Sequence, residues 1–452
     1  MGAAFDLLVR ETALFAAAGF LLLGTGDLAL DLIWIVRTAK RRLTVYRHHP
    51  PATALSLALP ENPGRMAILV PAWDEASVIG GMLRHALEAI DHGDYLVLVG
   101  CYPNEPATIA AVRQVDDPRV RAVLCDAPGP TTKASCLNCL WEAVRAEEAA
   151  AGRRFKAVVL HDAEDVVPAL GLRIFDSLVE RFDLVQLPVR PLIDPGSRWV
   201  SATYADEFAE AHGKELVVRE ALGAAVPSAG VGCAVARDAL DRLADLHGAP
   251  FDSDSLTEDY ELGIRLRHCG GRAAFVRLPT GPGAPPAATR AYFPRTFTAA
   301  VAQKARWMQG IALSGWDRLG WSGGLAERWM RMRDRQSLLA ALILAAGYLA
   351  MLLWLLRAGA TLAGAPPIEI GSTLRSLLLI NAGMLGWRLA MRFGFVAQTY
   401  GWGEGLRSIP RALVGNLIAM LAARQAVMRY ASPRETGWDK TAHAFPAAVP
   451  AE

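Results

Sequence analysis

Apolar positions along this chain occur in two kinds of run, long and short. The long ones cover residues 12–36, 337–356 and 374–390. A helix rises 1.5 Å per residue and needs about 20 apolar residues to cross a bilayer, so each run predicts a membrane-spanning helix. Arg375 and Arg388 shorten the clean core of the third. A fourth stretch, 409–428, carries Arg411, Asn416 and Arg424 and reads equally as a span or as a helix lying in the interface. The first run has no basic leader and no small-residue cleavage site, which favours an uncleaved anchor over a signal peptide. Asp27 and Asp31 interrupt its second half four residues apart, hence on one helical face, with Arg37 and Arg41 as expected partners.

The short runs begin at Met66. Residues 66–70, 95–100, 120–124 and 157–160 are each followed by a helical pattern, at 76–90, 107–115, 133–146 and 169–181. Runs 183–187 and 233–236 add strands, and a helix over 259–268 stops at Gly270-Gly271 before a last apolar run at 272–276. This alternation predicts an α/β fold whose sheet is covered by helices on both faces. Ligands of such sheets bind beyond the carboxyl ends of the strands, so chemistry is sought there. Residues 279–289, rich in Pro, Gly and Ala, read as a flexible connection toward the membrane helices. Residues 296–321, with Trp307, Trp316 and Trp321, read as one or two amphipathic helices on the cytoplasmic leaflet.

Composition sharpens this division. The 452 residues are 52% hydrophobic, with a positive mean hydropathy of +0.22 that the long runs account for. Lys and Arg total 47 against 45 Asp and Glu, a net charge of +2, which leaves no basic excess for nucleic acid. The basic residues are unevenly placed. Arg37, Lys40, Arg41, Arg42 and Arg47 follow the first span, and Arg328, Arg331, Arg333 and Arg335 precede the second. The positive-inside bias therefore puts residues 37–336 in the cytoplasm. Six cysteines and no glycosylation sequon agree with a reducing compartment.

Familiar motifs fail. Gly213-Lys214 is followed by Glu215 where a P-loop needs Ser or Thr, the fragment Gly230-Val-Gly232 precedes its strand, and no HExxH occurs. Cys136 and Cys139 sit in a helical pattern without a second cysteine pair, against structural zinc. What remains is at the strand ends. The fourth strand runs into His161-Asp162-Ala163-Glu164-Asp165, three carboxylates that repel unless a cation neutralises them; an acidic helix start is the plainer alternative. Pro71-Ala72-Trp73-Asp74-Glu75 follows the first strand, Lys133 opens a helix, and Ser228-Ala-Gly230-Val-Gly232 precedes another strand. Thr257-Glu258-Asp259 starts a helix, and Gln303-Lys304-Ala305-Arg306-Trp307 stands before the membrane.

In that order, the set resembles the family-two inverting glycosyltransferases of GT-A fold, particularly the membrane-bound processive type, over roughly residues 65–335. The resemblance implies a mixed, mostly parallel sheet and a set of roles. Trp73, Asp74 and Glu75 would surround the nucleotide base and ribose, and Lys133 the diphosphate. Asp162 and Glu164 stand where the family has its DxD motif for Mg or Mn, with Asp165 as a substitute or supporting carboxylate. Asp259 matches the general base, supported by Glu258. Gln303, Arg306 and Trp307 match the QxxRW motif at the acceptor site, with Gly230 and Gly232 beside it; a membrane-interface anchor is the plainer reading of Trp307. The partners implied are a nucleotide-sugar donor, probed first as UDP-linked, and a glycan or lipid-linked acceptor.

The pattern also departs from the family. The turn after the second strand reads Cys101-Tyr102-Pro103-Asn104-Glu105 rather than an acidic Asp-Asp-Gly-Ser type, leaving Asn104 or Glu105 as candidates for the base contact. The metal motif is Asp-x-Glu. These departures motivate an alternative, a catalytically degenerate GT-A scaffold in an envelope-export or receptor assembly. The expected organisation is an anchor and basic linker (1–45), a catalytic domain (46–292), interface helices (293–336), two or three membrane helices (337–430) and a cytoplasmic tail (431–452). So few spans point to an outer-membrane export partner or a homo-oligomer if a polysaccharide is exported.

Overall fold

The computed structural model describes residues 2–58, 60, 63–432 and 443–449. It opens with a single 42-residue helix, α1 (Ala3–Thr44). The next elements alternate: β1 (Met66–Pro71), α2 (Ile79–Ala89), β2 (Tyr95–Cys101), α3 (Pro106–Arg113), β3 (Val120–Leu124), α4 (Lys133–Ala151), β4 (Ala157–Leu160), α5 (Gly171–Leu178) and β5 (Leu184–Gln186). Then come α6 (Ala202–Glu210), a π-helical turn (Ala211–Glu215), α7 (Leu216–Ala221), β6 (Cys233–Ala236), α8 (Arg237–His247), α9 (Glu258–His268) and β7 (Ala273–Phe275). α10 (Phe297–Met308), a second π turn (Gln309–Ser314), α11 (Gly315–Leu319) and α12 (Leu325–Arg335) lead to three long helices, α13 (Ser337–Leu362), α14 (Ser372–Tyr400) and α15 (Trp402–Ala431).

One seven-stranded sheet has the order β3-β2-β1-β4-β6-β5-β7. Every pairing is parallel except those of β6, which runs against β4 and β5. The expected α/β architecture is therefore correct, and the direction of β6 is its one irregularity. β1, β2 and β4 are buried at every residue, which is why they read as unbroken apolar runs rather than alternating ones. The side chains of β1, β2 and β4 divide between two layers. One holds Ile68, Val70 and Val97 against α2 and α5; the other holds Leu69, Leu98 and Val158 against α4 and α8.

Three helices are long and apolar enough to cross a membrane: α1, α13 and α15. The third expected span is present as part of α14 but falls outside that set, because Arg375, Arg388 and Arg392 dilute its apolar surface. α14 nonetheless packs on α1, where Asn381 Nδ2 donates to the Ala17 carbonyl at 2.9 Å. The acids of α1 do not pair with Arg37 or Arg41. Asp31 is fully buried, 2.6 Å from Lys214 Nζ, and accepts from Trp387 Nε1 at 2.8 Å. Asp27 lies 2.8 Å from Arg333 and 3.3 Å from Arg388. Residues 27 and 31 do share a face, through which Asp31 ties α1 to the π turn and Asp27 ties it to α12 and α14.

Two more expectations change. Residues 279–289 are no loose connection: Pro279 bridges Pro286, Thr289 bridges Val189, and Ala287 and Thr289 are buried. Arg331 and Arg335, part of the basic cluster before the second span, are buried inside the protein. Arg331 is fully buried and donates to Glu327, His268 and the Leu319 carbonyl, while Arg335 stacks over Trp316 and Trp321.

Candidate active site

Strand ends build the site. β1 and β4 are parallel neighbours with Leu69 opposite Leu160, so the segments leaving them run side by side and bring Glu75 and Glu164 together. Between these carboxylates sits a residue from the far end of the chain. His443 Nδ1 lies 3.0 Å from Glu75 Oε1 and 3.3 Å from Glu164 Oε2. Phe445 anchors that segment: it joins the core cluster under the sheet and lies so close to α2 that a Cβ on Gly81 would sit 2.9 Å from its ring. Burial, together with Asp162, Asp165 and Glu75, pushes the Glu164 carboxyl up to about 8 against the pull of His443. Burial opposes the charge on His443, but Glu164 and Glu75 outweigh it and raise its pKa.

The other two acids of the triplet are engaged elsewhere. Asp162 Oδ1 is 2.5 Å from Lys133 Nζ, at the start of α4. Asp165 lies 2.9 Å from His161 Nδ1 and accepts the Asp162 N–H at 3.0 Å, which fixes the turn. The three carboxylates thus diverge, and it is Glu164 with Glu75 and His443 whose ligand atoms all lie within 4.8 Å of one another.

Across the cavity, Thr257 stands at the N-cap position of α9 without a side-chain cap, and Glu258 and Asp259 fall in the first turn. Burial and its neighbour Asp259 push Glu258 up to about 7; Asp259 is raised as well, burial outweighing the pull of Lys133. Burial alone would discharge Lys133, but Asp162, Glu258 and Asp259 hold it above its ordinary value. Gly230 lies beside Asp259 with φ of 74°, and a Cβ there would stand 2.7 Å from Asp259 Oδ2. Because β6 is antiparallel, its beginning lies with the ends of its neighbours, which is how a glycine segment preceding a strand reaches this edge.

α10 supplies the remaining wall. Gln303, Arg306 and Trp307 line the same cavity as Glu75, Lys133, Asp162, Glu164, Asp165, Glu258, Asp259 and His443. Gln303 Oε1 is buried with no hydrogen-bond partner among the described residues. Trp307 meets Tyr204 edge-on, with ring centroids 5.8 Å apart, and Phe208 at 6.5 Å. It belongs to the catalytic domain's aromatic cluster. Gly310, in the turn after α10, packs against Thr257 so closely that a Cβ would come 2.5 Å from its methyl, locking the QxxRW helix to the start of α9.

Six candidates stand outside this cavity's lining. Trp73 meets Tyr102 edge-on at 5.3 Å, and Asp74 carries a positive φ of 56°. Asn104 brackets Gly129, donating to its carbonyl at 2.7 Å and accepting its N–H at 2.8 Å. Glu105 caps α3 by accepting the Thr108 N–H at 3.3 Å. Gly230 and Gly232 make room for Asp259 and Thr289 respectively. Sequence reasoning missed His443 and Phe445 altogether. No periodicity or strand marks that segment, so nothing local could have signalled it.

A family description, "Glycosyltransferase like family 2", matches residues 63–310, the whole sheet together with the QxxRW helix. The chain belongs to glycosyltransferase family 2. This glycosyltransferase is 39% identical over 471 residues to bacteriophage adsorption protein B of Escherichia coli strain K12, a match covering 97% of the chain and 62% of that relative. The same figures hold for bacteriophage N4 adsorption protein B of Escherichia coli O157:H7. The chain therefore spans less than two thirds of the length of these curated relatives. Among solved structures, the mannosyltransferase PcManGT of Pyrobaculum calidifontis, in complex with GDP-Man and Mn2+, aligns with a TM-score of 0.54 and 18% identity over 93% of this chain and 100% of that one. That likeness is one of fold, and it places the enzyme among GT-A transferases with membrane helices of its own.

Proposed function

We propose that this enzyme moves a sugar, with inversion, from a UDP-linked donor to a glycan or lipid-linked acceptor at the bacterial inner membrane, in cell-surface polysaccharide synthesis. The observation that carries the reading is one cavity combining the Glu258–Asp259 pair, Lys133 and the Gln303–Arg306–Trp307 wall. Asp259 removes the proton from the acceptor hydroxyl as its oxygen bonds to the anomeric carbon. The bond from that carbon to the diphosphate breaks on the opposite side, and the proton remains on the carboxylate. Lys133 and Arg306 stand where they can neutralise the departing diphosphate, and Trp307 offers an aromatic face to a sugar ring.

A divalent cation fits at Glu75, Glu164 and His443, since Glu164 Oε2 is buried and, apart from the ionic contact with His443, has no hydrogen-bond partner among the described residues. An imidazole among the ligands suits Mn better than Mg. Such an ion, when bound, would add positive charge beside the leaving diphosphate.

The tail supports one membrane topology, in which α15 is not a span although its length and composition would allow it. α15 packs lengthwise on α10 through Ala422 and Ala426 against Ala305, and Tyr430 donates to Asp317 at 2.5 Å. The chain then returns to the catalytic cavity at His443. This supports α1, α13 and α14 as the spans and α15 as an interface helix on the catalytic side, with export of any polymer depending on an outer-membrane partner or a homo-oligomer. The direct test incubates purified membranes with UDP-sugars and Mn, using wild type and Asp259→Asn. Donor-dependent UDP release by the wild type alone is expected; equal release by both proteins would overturn the general-base role.

A further inference from the structure

A second cavity, of 460 Å³, lies behind the catalytic one, separated from it by Val189 and Phe208, which line both. Its walls come from the segment after β5, the first π turn, residues 283–288 and the last turn of α14. None of its lining residues is acidic, yet two are arginines. Arg277 donates to the Gly213 carbonyl at 3.2 Å, and burial without a compensating carboxylate lowers its pKa. Arg190 donates to the Thr399 carbonyl at 2.8 Å and lies over the Tyr400 ring. Neither guanidinium has a carboxylate partner among the described residues. The buried Arg219, Arg237, Arg331 and Arg411 each carry one, whereas Arg190 is half-buried and Arg277 reaches solvent at the cavity mouth.

A third polar group completes the site. His212 Nδ1 accepts the Val189 N–H at 2.8 Å, so its Nε2 carries the ring proton, and burial with Arg277 pushes the imidazole down to about 3. It is a neutral donor across the physiological range. Two unopposed guanidiniums and one imidazole N–H make a donor set without an acceptor of matching charge. Guanidiniums pair best with phosphate or carboxylate oxygens, and the lining of this cavity offers them no carboxylate. The rest of the wall is apolar, with Phe395, Pro285 and Pro286, and it opens at the end of a helix packed on the membrane anchor.

We infer that this cavity binds a phosphate group carried on a larger, partly apolar body, held by Arg190 and Arg277 with His212 donating. The chemistry recognised is shared by a phospholipid headgroup at the membrane surface and a soluble phosphate ester. Because Val189 and Phe208 also line the catalytic cavity, the occupant would touch the far side of the acceptor wall.

The test uses the full chain in detergent and in nanodiscs. Thermal midpoint and equilibrium binding are followed on adding glycerol phosphate in detergent, and on exchanging phosphatidylcholine for phosphatidylglycerol in nanodiscs. Wild type, Arg277→Gln, Arg190→Gln and Arg277→Lys are compared. We expect one or both phosphates to raise the midpoint, with binding at least tenfold weaker in each Gln variant and largely recovered in Arg277→Lys. A response to phosphatidylglycerol alone assigns the lipid source, and a response to glycerol phosphate alone assigns the soluble one. No response in either arm, or an equal response in variants that melt like the wild type without ligand, overturns the site.

Discussion

At the scale of single residues, the site is defined by acids that the fold holds away from water. Asp259 and Glu258 share one helix start and both are raised by burial, so the base loses its ionised form at a higher pH than a free carboxylate does. The acid limb of the kcat/KM profile should therefore lie above the range of a free aspartate. Lys133→Met, which removes the cation that favours ionisation, should move that limb further upward. Asp259→Asn should lower kcat by at least ~10²-fold, with donor KM little changed. The same burial has a stability consequence. A carboxyl with a raised folded-state pKa supports folding below its unfolded value and loses that support as pH rises through the folded one. For Glu258 this window runs from 4.5 to about 7, so Glu258→Gln should melt higher than wild type at pH 8 and show little difference at pH 4. Gly230→Ala tests the space beside the base: its φ of 74° and the 2.7 Å approach to Asp259 predict a loss of about 1–2 kcal/mol and a marked fall in kcat.

Elements explain how distant residues meet. The parallel pairing of β1 and β4 sets Glu75 against Glu164, and the tail supplies His443 between them. If Mn binds there, it should protect the C-terminal segment from limited proteolysis in wild type but not in His443→Ala, whatever the transfer activity. Phe445→Ala, which empties a core contact, should leave that segment cleavable even with Mn. The strand ends were legible in sequence because each apolar run is short and followed by its chemistry. The residue types at 259, 303, 306 and 307 were legible for the same reason. The division of the acidic triplet was not, because Asp162, Glu164 and Asp165 look alike in sequence and only their partners, Lys133, His443 and His161, distinguish them. Likewise the Cys101–Glu105 turn reads as a candidate base contact, whereas its Asn104 and Glu105 side chains hold Gly129 and cap α3.

For the whole molecule, the buried contact between Asp31 and Lys214 joins the first span to the catalytic domain. Asp31→Leu alone should cost about 3–5 kcal/mol by leaving Lys214 buried beside only Glu210. Asp31→Leu with Lys214→Met should recover much of that, measured as a double-mutant cycle in thermal or denaturant unfolding. Topology is tested separately by Ala447→Cys: a membrane-impermeant maleimide should label it only in inside-out vesicles, the side that also exposes the catalytic domain. Labelling from the opposite face would make α15 a true span and contradict the seating of the tail.

The amino-acid sequence by itself determined the alternation of strand and helix, the long apolar helices and the residue types offered at the strand ends, because burial on both faces and chain-local spacing leave direct marks on residue order. Tertiary structure alone decided which way β6 runs, which acids pair with Lys133, Arg333 and Lys214, and that the last described segment fills the gap between Glu75 and Glu164. Those are contacts between residues tens to hundreds of positions apart. Their energies depend on what is excluded from water around them, and no local pattern in the chain records that.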